Sequence, residues 1–355
     1  MKRDRFRAFA SDRRSAQERT GSSETDAGSE KKEAKMSKNP FDPKGVIPAC
    51  LMPFDAHLEI DEPAYRRHLG DLAGIEGVAA ITVNGHAAEV HALSFEEQRL
   101  GIEIARDELA GKLPLVAGIY TGNTREASRL ATMAASAGAD ALLVFPSEVL
   151  ALGGQQRPES ARAHIGAVAE STELPLILFQ YPMSGGLGYP LDTLLGLCAD
   201  FPSIRAIKDW CNDPHLHERH IRELHALERP VRVLSTHSMW LLSSLVLGCD
   251  GLLSGAGSVI ANLQVALFQA VQRNDLQTAR AINDRIYPTV RAFYSEPLLD
   301  MHNRMKEALV LLGRLDTAHV RPPLTKLERP EIEWIGSLLR EAGVTASTVY
   351  ENGAS

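Results

Sequence analysis

From residue 45 onward, short apolar runs alternate with longer stretches whose apolar positions recur every three or four residues. The runs lie at 45–51, 78–83, 113–119, 141–145, 174–179, 204–208, 231–235 and 250–254. Between them, amphipathic stretches cover 62–73, 95–110, 124–137, 158–171, 190–199, 215–227 and 238–247. Parallel strands covered on both faces read as continuous apolar runs, and helices read at the 3.6-residue period. Eight strand–helix units in a row predict an α/β chain folded as a (β/α)8 TIM barrel. The turns at 75–77, 137–140 and 247–250 each place a glycine where a helix ends before a strand, as a left-handed C-cap requires. After the eighth run only helical patterns remain, at roughly 263–274, 276–292, 300–313 and 330–342. The expected division is a barrel over 45–262 and a C-terminal helical domain over 263–345.

The first 36 residues break this pattern. Ten of the 38 basic and seven of the 45 acidic residues fall in 1–35, among many Ser, Thr and Gly. Such a segment buries too little surface to offset its ordering entropy, so 1–36 is expected to be a disordered tail. It lacks the apolar core of a secretory signal, and Asp4, Asp12 and Glu18 do not suit a mitochondrial presequence. Met36 is expected to be the natural start. The remainder carries 28 basic against 38 acidic residues, a net charge of −10. That balance argues against nucleic acid as a partner. No apolar run approaches the ~18 residues of a membrane span. Cys50, Cys198, Cys211 and Cys249 are far apart and form no CxxC pair. This usage excludes a zinc ribbon or disulfide scaffold and points to a reducing, cytoplasmic compartment.

In such a barrel chemistry gathers at the C-terminal ends of the strands. There the sixth run, Ile-Arg-Ala-Ile-Lys, places Ile204, Ala206 and Lys208 on one face by strand alternation. Lys208 is thereby aimed into the barrel at its chemical end. A lysine is rarely left in an apolar interior without a partner or a function. Desolvation favours its neutral amine, the nucleophile that condenses with a carbonyl. The bland reading is a lysine reaching out of the barrel mouth or paired with an acid there.

The chain resembles the dihydrodipicolinate synthase / N-acetylneuraminate lyase family of Schiff-base aldolases. The resemblance rests on the stretches 48–72, 115–144 and 249–262, on Ile207-Lys208-Asp209, and on the Ser-Glu-Pro…Lys…Arg-Pro-Pro-Leu pattern over 295–324. It implies a barrel with a C-terminal helical extension and Lys208 as the imine-forming residue. It also implies a small-molecule 2-oxo acid substrate, such as pyruvate or a 2-keto-3-deoxy acid, and a homo-oligomer, dimer or tetramer. No cofactor is expected.

Several positions depart from the family pattern. The Gly-Thr-Thr-Gly-Glu loop reads Gly85-His86-Ala87-Ala88-Glu89, so His86 stands in for a proton-relaying hydroxyl and backbone N–H groups at Ala87 and Ala88 for a carboxylate grip. The Tyr-Asn-x-Pro motif reads Phe179-Gln180-Tyr181-Pro182. Phe179 cannot transfer a proton, which leaves Tyr181, two residues on, or Tyr120 as the candidate phenol. Glu148 falls where the second of a tyrosine pair belongs, and Ser184 where the synthases keep a carboxylate-binding arginine. These replacements argue against 4-hydroxy-tetrahydrodipicolinate synthase activity. At the end of the eighth run, Leu253, Ser254 and Gly255 are expected to face the keto acid. The glycines at 185, 186 and 188 read as a turn.

The histidines at 215, 217 and 220 do not all share one helix face, so no metal site is expected there. His86, His237 and Glu89 could together hold a metal, but a Schiff-base lysine makes one unnecessary, and none is expected. The reading is a carbon–carbon or carbon–oxygen lyase of the class I aldolase type, acting on a 2-oxo acid. Its catalytic residues are Lys208, Tyr181 and His86, with Gly85, Ala87, Ala88, Glu148, Phe179, Leu253, Ser254 and Gly255 around the substrate. The alternative is an inactive barrel that has lost its relay and only binds a small ligand or partner.

Overall fold

The computed structural model describes residues 41–346, so the tail read at 1–36 lies outside the described residues. Eight strands follow the predicted runs: β1 (Gly45–Pro48), β2 (Ile81–Val83), β3 (Leu115–Ile119), β4 (Ala141–Val144), β5 (Leu176–Gln180), β6 (Ile204–Asp209), β7 (Arg232–Ser235) and β8 (Gly251–Ser254). All pair in parallel, in the order β1-β8-β7-β6-β5-β4-β3-β2. Parallel bridges from Val46 to Val78 and from Ala49 to Thr82 join β1 to the approach of β2 and close the barrel.

The helices of the outer ring are α1 (Glu62–Ala73), α2 (Phe95–Leu109), α3 (Thr124–Ser136), α4 (Pro158–Glu170), α5 (Leu191–Asp200), α6 (Pro214–His225), α7 (Leu241–Val246) and α8 (Gly257–Gln272). Their starts are set by side chains that accept otherwise orphaned N–H groups. Asp61 caps α1, Asn123 caps α3 and Asp213 caps α6, while Ser94 and Glu97 form a reciprocal capping box on α2. Gly138 and Gly248 follow the last turns of α3 and α7 in left-handed conformation, with φ of +102° and +100°, whereas α1 already ends at Gly74, and Gly77, at φ +94°, turns the chain toward β2. Three further helices follow, α9 (Leu276–Phe293), α10 (Met301–Leu311) and α11 (Arg329–Glu341). The expected boundary at 262/263 falls inside α8, which packs on both β1 and α9. The first amphipathic half of 238–247 is a 3-10 turn, Ser238–Trp240, that precedes α7.

Two close approaches shape the site end. After β2 the chain turns at Asn84, which adopts φ +52° and donates its amide to the Gln98 carbonyl at 2.8 Å. Asparagine tolerates this left-handed conformation better than most residues. The Asn84 carbonyl then passes so close to β3 that a Cβ on Gly118 would lie 2.0 Å from its oxygen. The tight turn directs the next residues, Gly85–Ala87, toward the barrel axis. The second approach ties the following loop to α10. Lys306 donates a short hydrogen bond to Glu89, both side chains being buried, and a second one of 2.8 Å to the His319 carbonyl. Glu89 also accepts the backbone N–H of Arg321 at 2.9 Å.

Gly118→Ala is expected to destabilise the protein by about 3 kcal/mol, the upper end of overpacking costs, because the neighbour is backbone. Thermal and denaturant melts against the parent chain check this. An unchanged midpoint would show that the Asn84 turn relaxes freely.

Candidate active site

Strand alternation on β6 sends Lys208 inward and Asp209 outward, as the run predicted. Lys208 is 7% exposed and lies at the wall of a small chamber of about 40 Å³. The chamber is lined by Gly85, His86 and Ala87 after β2, Phe179 on β5, Gly255 after β8, and His302 on α10. Burial alone pushes the Lys208 amine down to about 7. Its Nζ sits 4.1 Å from the centre of the Phe179 ring. Among the hydrogen bonds and ion pairs of the described residues, none joins Lys208 to a carboxylate.

His86 and Tyr181 meet. The Tyr181 hydroxyl and His86 Nε2 share a hydrogen bond of 3.0 Å. Burial, then the nearby Lys208, holds His86 well below the ordinary imidazole range, so it is neutral. Burial also raises the Tyr181 phenol well above its usual value, helped by Tyr120 and Glu148. Aromatic rings surround the pair. His86 packs on Phe145 at 4.8 Å and on the edge of Tyr120 at 5.6 Å, and Tyr181 packs on Phe179 at 4.5 Å. Tyr120 donates a short hydrogen bond to the exposed Glu148.

The turn that delivers Tyr181 is built by its neighbours. Gln180, fully buried, accepts the N–H of Tyr189 and donates to the Tyr189 carbonyl, both at 3.1 Å, pinching the loop shut. The intervening glycines are packing requirements. A Cβ on Gly188 would lie 2.5 Å from the Tyr181 carbonyl, and one on Gly186 2.6 Å from that of Ala151.

Other expected residues stand farther from the chamber. Ala88 donates its N–H to the Gly85 carbonyl and does not line the cavity. Leu253 is wholly buried in the core, and Ser254 Oγ accepts from Gln264 at 3.2 Å. The arrangement of His86, His237 and Glu89 considered for a metal does not form. Glu89 is taken by Lys306, and His237 stacks on Trp240 at 4.0 Å.

The histidine run divides as its spacing implies, with His215 exposed and the other two buried. His217 and His220 are three residues apart and do share a face of α6. Both hydrogen-bond Asp209 Oδ2, at 2.8 and 2.7 Å. Burial pushes the Asp209 carboxyl up, but these two bonds outweigh it and hold the group well below the usual range. Asp209, Cys211, His217 and His237 bring ligand atoms within 4.8 Å of one another, the one such group among the described residues. His217 already bonds Asp209 and Ser244 Oγ, the latter at 2.7 Å, so a metal would have to displace that network.

His302 is the residue that the sequence reading missed. It reaches the chamber from α10 and rests against the backbone of Gly255. Burial, then Lys208, pushes its imidazole down to about 3. The available signal was its spacing of four from Lys306, which places both on one side of α10.

Residues 42–342 match the model of the dihydrodipicolinate synthetase family. The chain belongs to that family. The 4-hydroxy-tetrahydrodipicolinate synthase of Methanopyrus kandleri is 30% identical over 309 residues, covering 86% of this chain and 98% of that protein. The one from Nitrobacter hamburgensis is 32% identical over 310 residues, covering 87% and 98%. A crystal structure of YagE, a prophage protein of the family from E. coli K12 in complex with pyruvate, superposes with a TM-score of 0.78 at 25% identity. It covers 85% of this chain and 99% of its own. Family membership supports a lyase of the class I, Schiff-base aldolase type. No helix among the described residues is long and apolar enough to cross a membrane.

After reductive ¹³C-methylation, NMR is expected to show one lysine resonance titrating near pH 7 that is absent from Lys208→Met. A Lys208 resonance still fully protonated at pH 9 would contradict the desolvated amine.

Proposed function

We propose that this protein is a class I lyase, an aldolase or hydro-lyase, that condenses Lys208 with a 2-oxo acid such as pyruvate or a 2-keto-3-deoxy acid. The observation that carries this is the enclosed amine, held near neutrality by burial at the wall of a chamber. Lys208 Nζ attacks the keto carbon, and the carbonyl oxygen leaves as water after taking two protons. In aldol cleavage the resulting iminium accepts the electron pair of the C3–C4 bond while the C4 hydroxyl gives up its proton and becomes a carbonyl; in dehydration it accepts the pair of a C3–H bond, and the enamine so formed expels the C4 hydroxyl, which leaves as water with the proton taken from C3. Reprotonation of the enamine and hydrolysis return the amine.

His86 and Tyr181 are the catalytic pair for these proton movements. A neutral imidazole accepts a proton, and the phenol bonded to it returns one across a 3.0 Å contact. Phe179 forms the apolar wall against the lysine, and Gly85, Ala87 and Gly255 bring backbone against the substrate. Ala88, Leu253 and Ser254 support these positions from behind, and Glu148 orients Tyr120 beside His86. The family's hydroxyl relay is thus replaced by other residues, which favours catalysis over the binding-only alternative. The same replacements speak against 4-hydroxy-tetrahydrodipicolinate synthase activity. Ser184 is exposed on the glycine turn, and Lys208 is the one lysine or arginine on the chamber wall. We take the protein to be a cytoplasmic homo-oligomer, a dimer or tetramer, with no nucleic-acid partner.

Pyruvate with borohydride is expected to leave a stable adduct on Lys208, located by peptide mapping and absent from Lys208→Ala. Its rate of formation should rise with pH and level off above about 7, falling to about a tenth of the plateau one pH unit into the protonated limb. An adduct elsewhere, or none, would reject the proposal. Tyr181→Phe should still form the adduct while turnover falls by about 10²- to 10⁴-fold. Unimpaired turnover would remove Tyr181 from the relay.

A further inference from the structure

The chamber at Lys208 has room for the head of a substrate and little more. Its 40 Å³ compares with the ~10–15 Å³ that one water centre requires. A larger cavity of about 290 Å³ adjoins it, sharing Trp210, Thr236 and Tyr294 as common walls. This vestibule continues over Trp240, Met239 and Leu298 toward the solvent. Its large surfaces are flat and apolar. Trp210 stands edge-on to Tyr181 at 5.7 Å, and Trp240 is fixed by stacking on His237. Met239, 62% exposed at the mouth, adds an apolar side chain to the entrance.

The charge of the vestibule is equally specific. No lysine or arginine lines it, and its one acid is Glu296, exposed at the rim. His237, pushed down to about 3 chiefly by burial, adds no positive charge near neutrality. A second carboxylate would therefore meet no cation and one repelling carboxylate. Aromatic walls without a counter-charge suit a planar, uncharged group.

We infer that the vestibule between Trp210 and Trp240 binds the distal part of the substrate, and that this part is a neutral aromatic group. This rests on the imine reading of Lys208. It narrows the substrate class to 2-oxo acids carrying an uncharged aryl tail, and makes Trp240 and Met239 determinants of specificity.

Three 2-oxo acids with a common head test it: pyruvate, 2-oxo-4-phenylbutanoate and 2-oxoadipate, each trapped with borohydride over a concentration series. The phenyl acid is expected to half-saturate at least about tenfold below pyruvate, and the dianion above it. Trp240→Ala should shrink the phenyl-to-pyruvate ratio at least about fivefold. Because Trp240 packs on buried histidines, Met239→Lys is the second variant. It changes an exposed side chain and should improve 2-oxoadipate relative to the phenyl acid. Equal half-saturation for all three acids, or preference for the dianion in the parent chain, overturns this inference and leaves the imine reading standing. No adduct with any acid overturns the imine reading, and this inference with it.

Discussion

Taking an ammonium group out of water is the constraint around which the site end is arranged. Among the described residues two lysines are buried, and the structure treats them differently. Lys306 keeps a carboxylate partner, Glu89, and a backbone carbonyl. Burial pushes it down, but the paired charge pulls the other way and it settles at about 8. It stacks near Phe54 and fastens α10 to the loop after β2, which suits a structural ion pair. Lys208 has an aromatic ring where Lys306 has an acid. A ring face returns about 0.5–2 kcal/mol to an ammonium. Moving the amine from 10.5 to about 7 corresponds to roughly 5 kcal/mol. Desolvation wins, and the amine is left free to act as a nucleophile.

The neutral amine then dictates what can stand near it. A carboxylate in the chamber would restore the proton, so acids are kept one layer away. Glu148 reaches only Tyr120, Glu89 is spent on Lys306, and Asp209 points to the opposite side of the strand. The groups that do face the chamber, His86 and His302, are imidazoles that burial keeps neutral. A phenol bonded to one of them completes a set that can move protons without adding fixed charge. The Phe179 position shows the same logic. Its ring dries the amine, and a phenol follows two residues later on a loop pinned by Gln180.

Much of this was legible in the sequence, because it follows from periodicity. Eight apolar runs gave eight strands, and alternation on a single strand was enough to aim Lys208. His86 and Tyr181 were singled out as departures at special positions, and the fold brings them to 3.0 Å. Their contact was not legible, because it depends on a glycine loop whose path is set by clashes with Ala151 and Tyr181 backbone. His302 was missed because it arrives from a helix nearly a hundred residues after Lys208, and strand periodicity says nothing of which helix covers a barrel mouth. The histidine run does not lie on one face, as its spacing implied; within it the pair His217 and His220, three residues apart, shares the buried face of α6.

That pair explains how a strand carrying a dry lysine stays in register. Lys208 and Asp209 are adjacent, and alternation forces them into opposite layers. The inward residue contributes reactivity and no stabilising partner. The outward one is a wholly buried carboxylate, tolerable only if both of its oxygens are hydrogen-bonded. Two histidines from α6 take one oxygen, and the N–H of Cys211 takes the other at 2.9 Å. Ser244 at the far side of His217 links the same network to α7. Removing one partner from such a buried, charged network typically costs about 3–5 kcal/mol, against the roughly 0.5–1.5 of an ordinary hydrogen bond. The end of β6 is therefore fastened to two helices at the residue next to Lys208. Any reaction at an amine enclosed in so small a chamber depends on that fixity, since a displacement near 1 Å can cost about a hundredfold in rate.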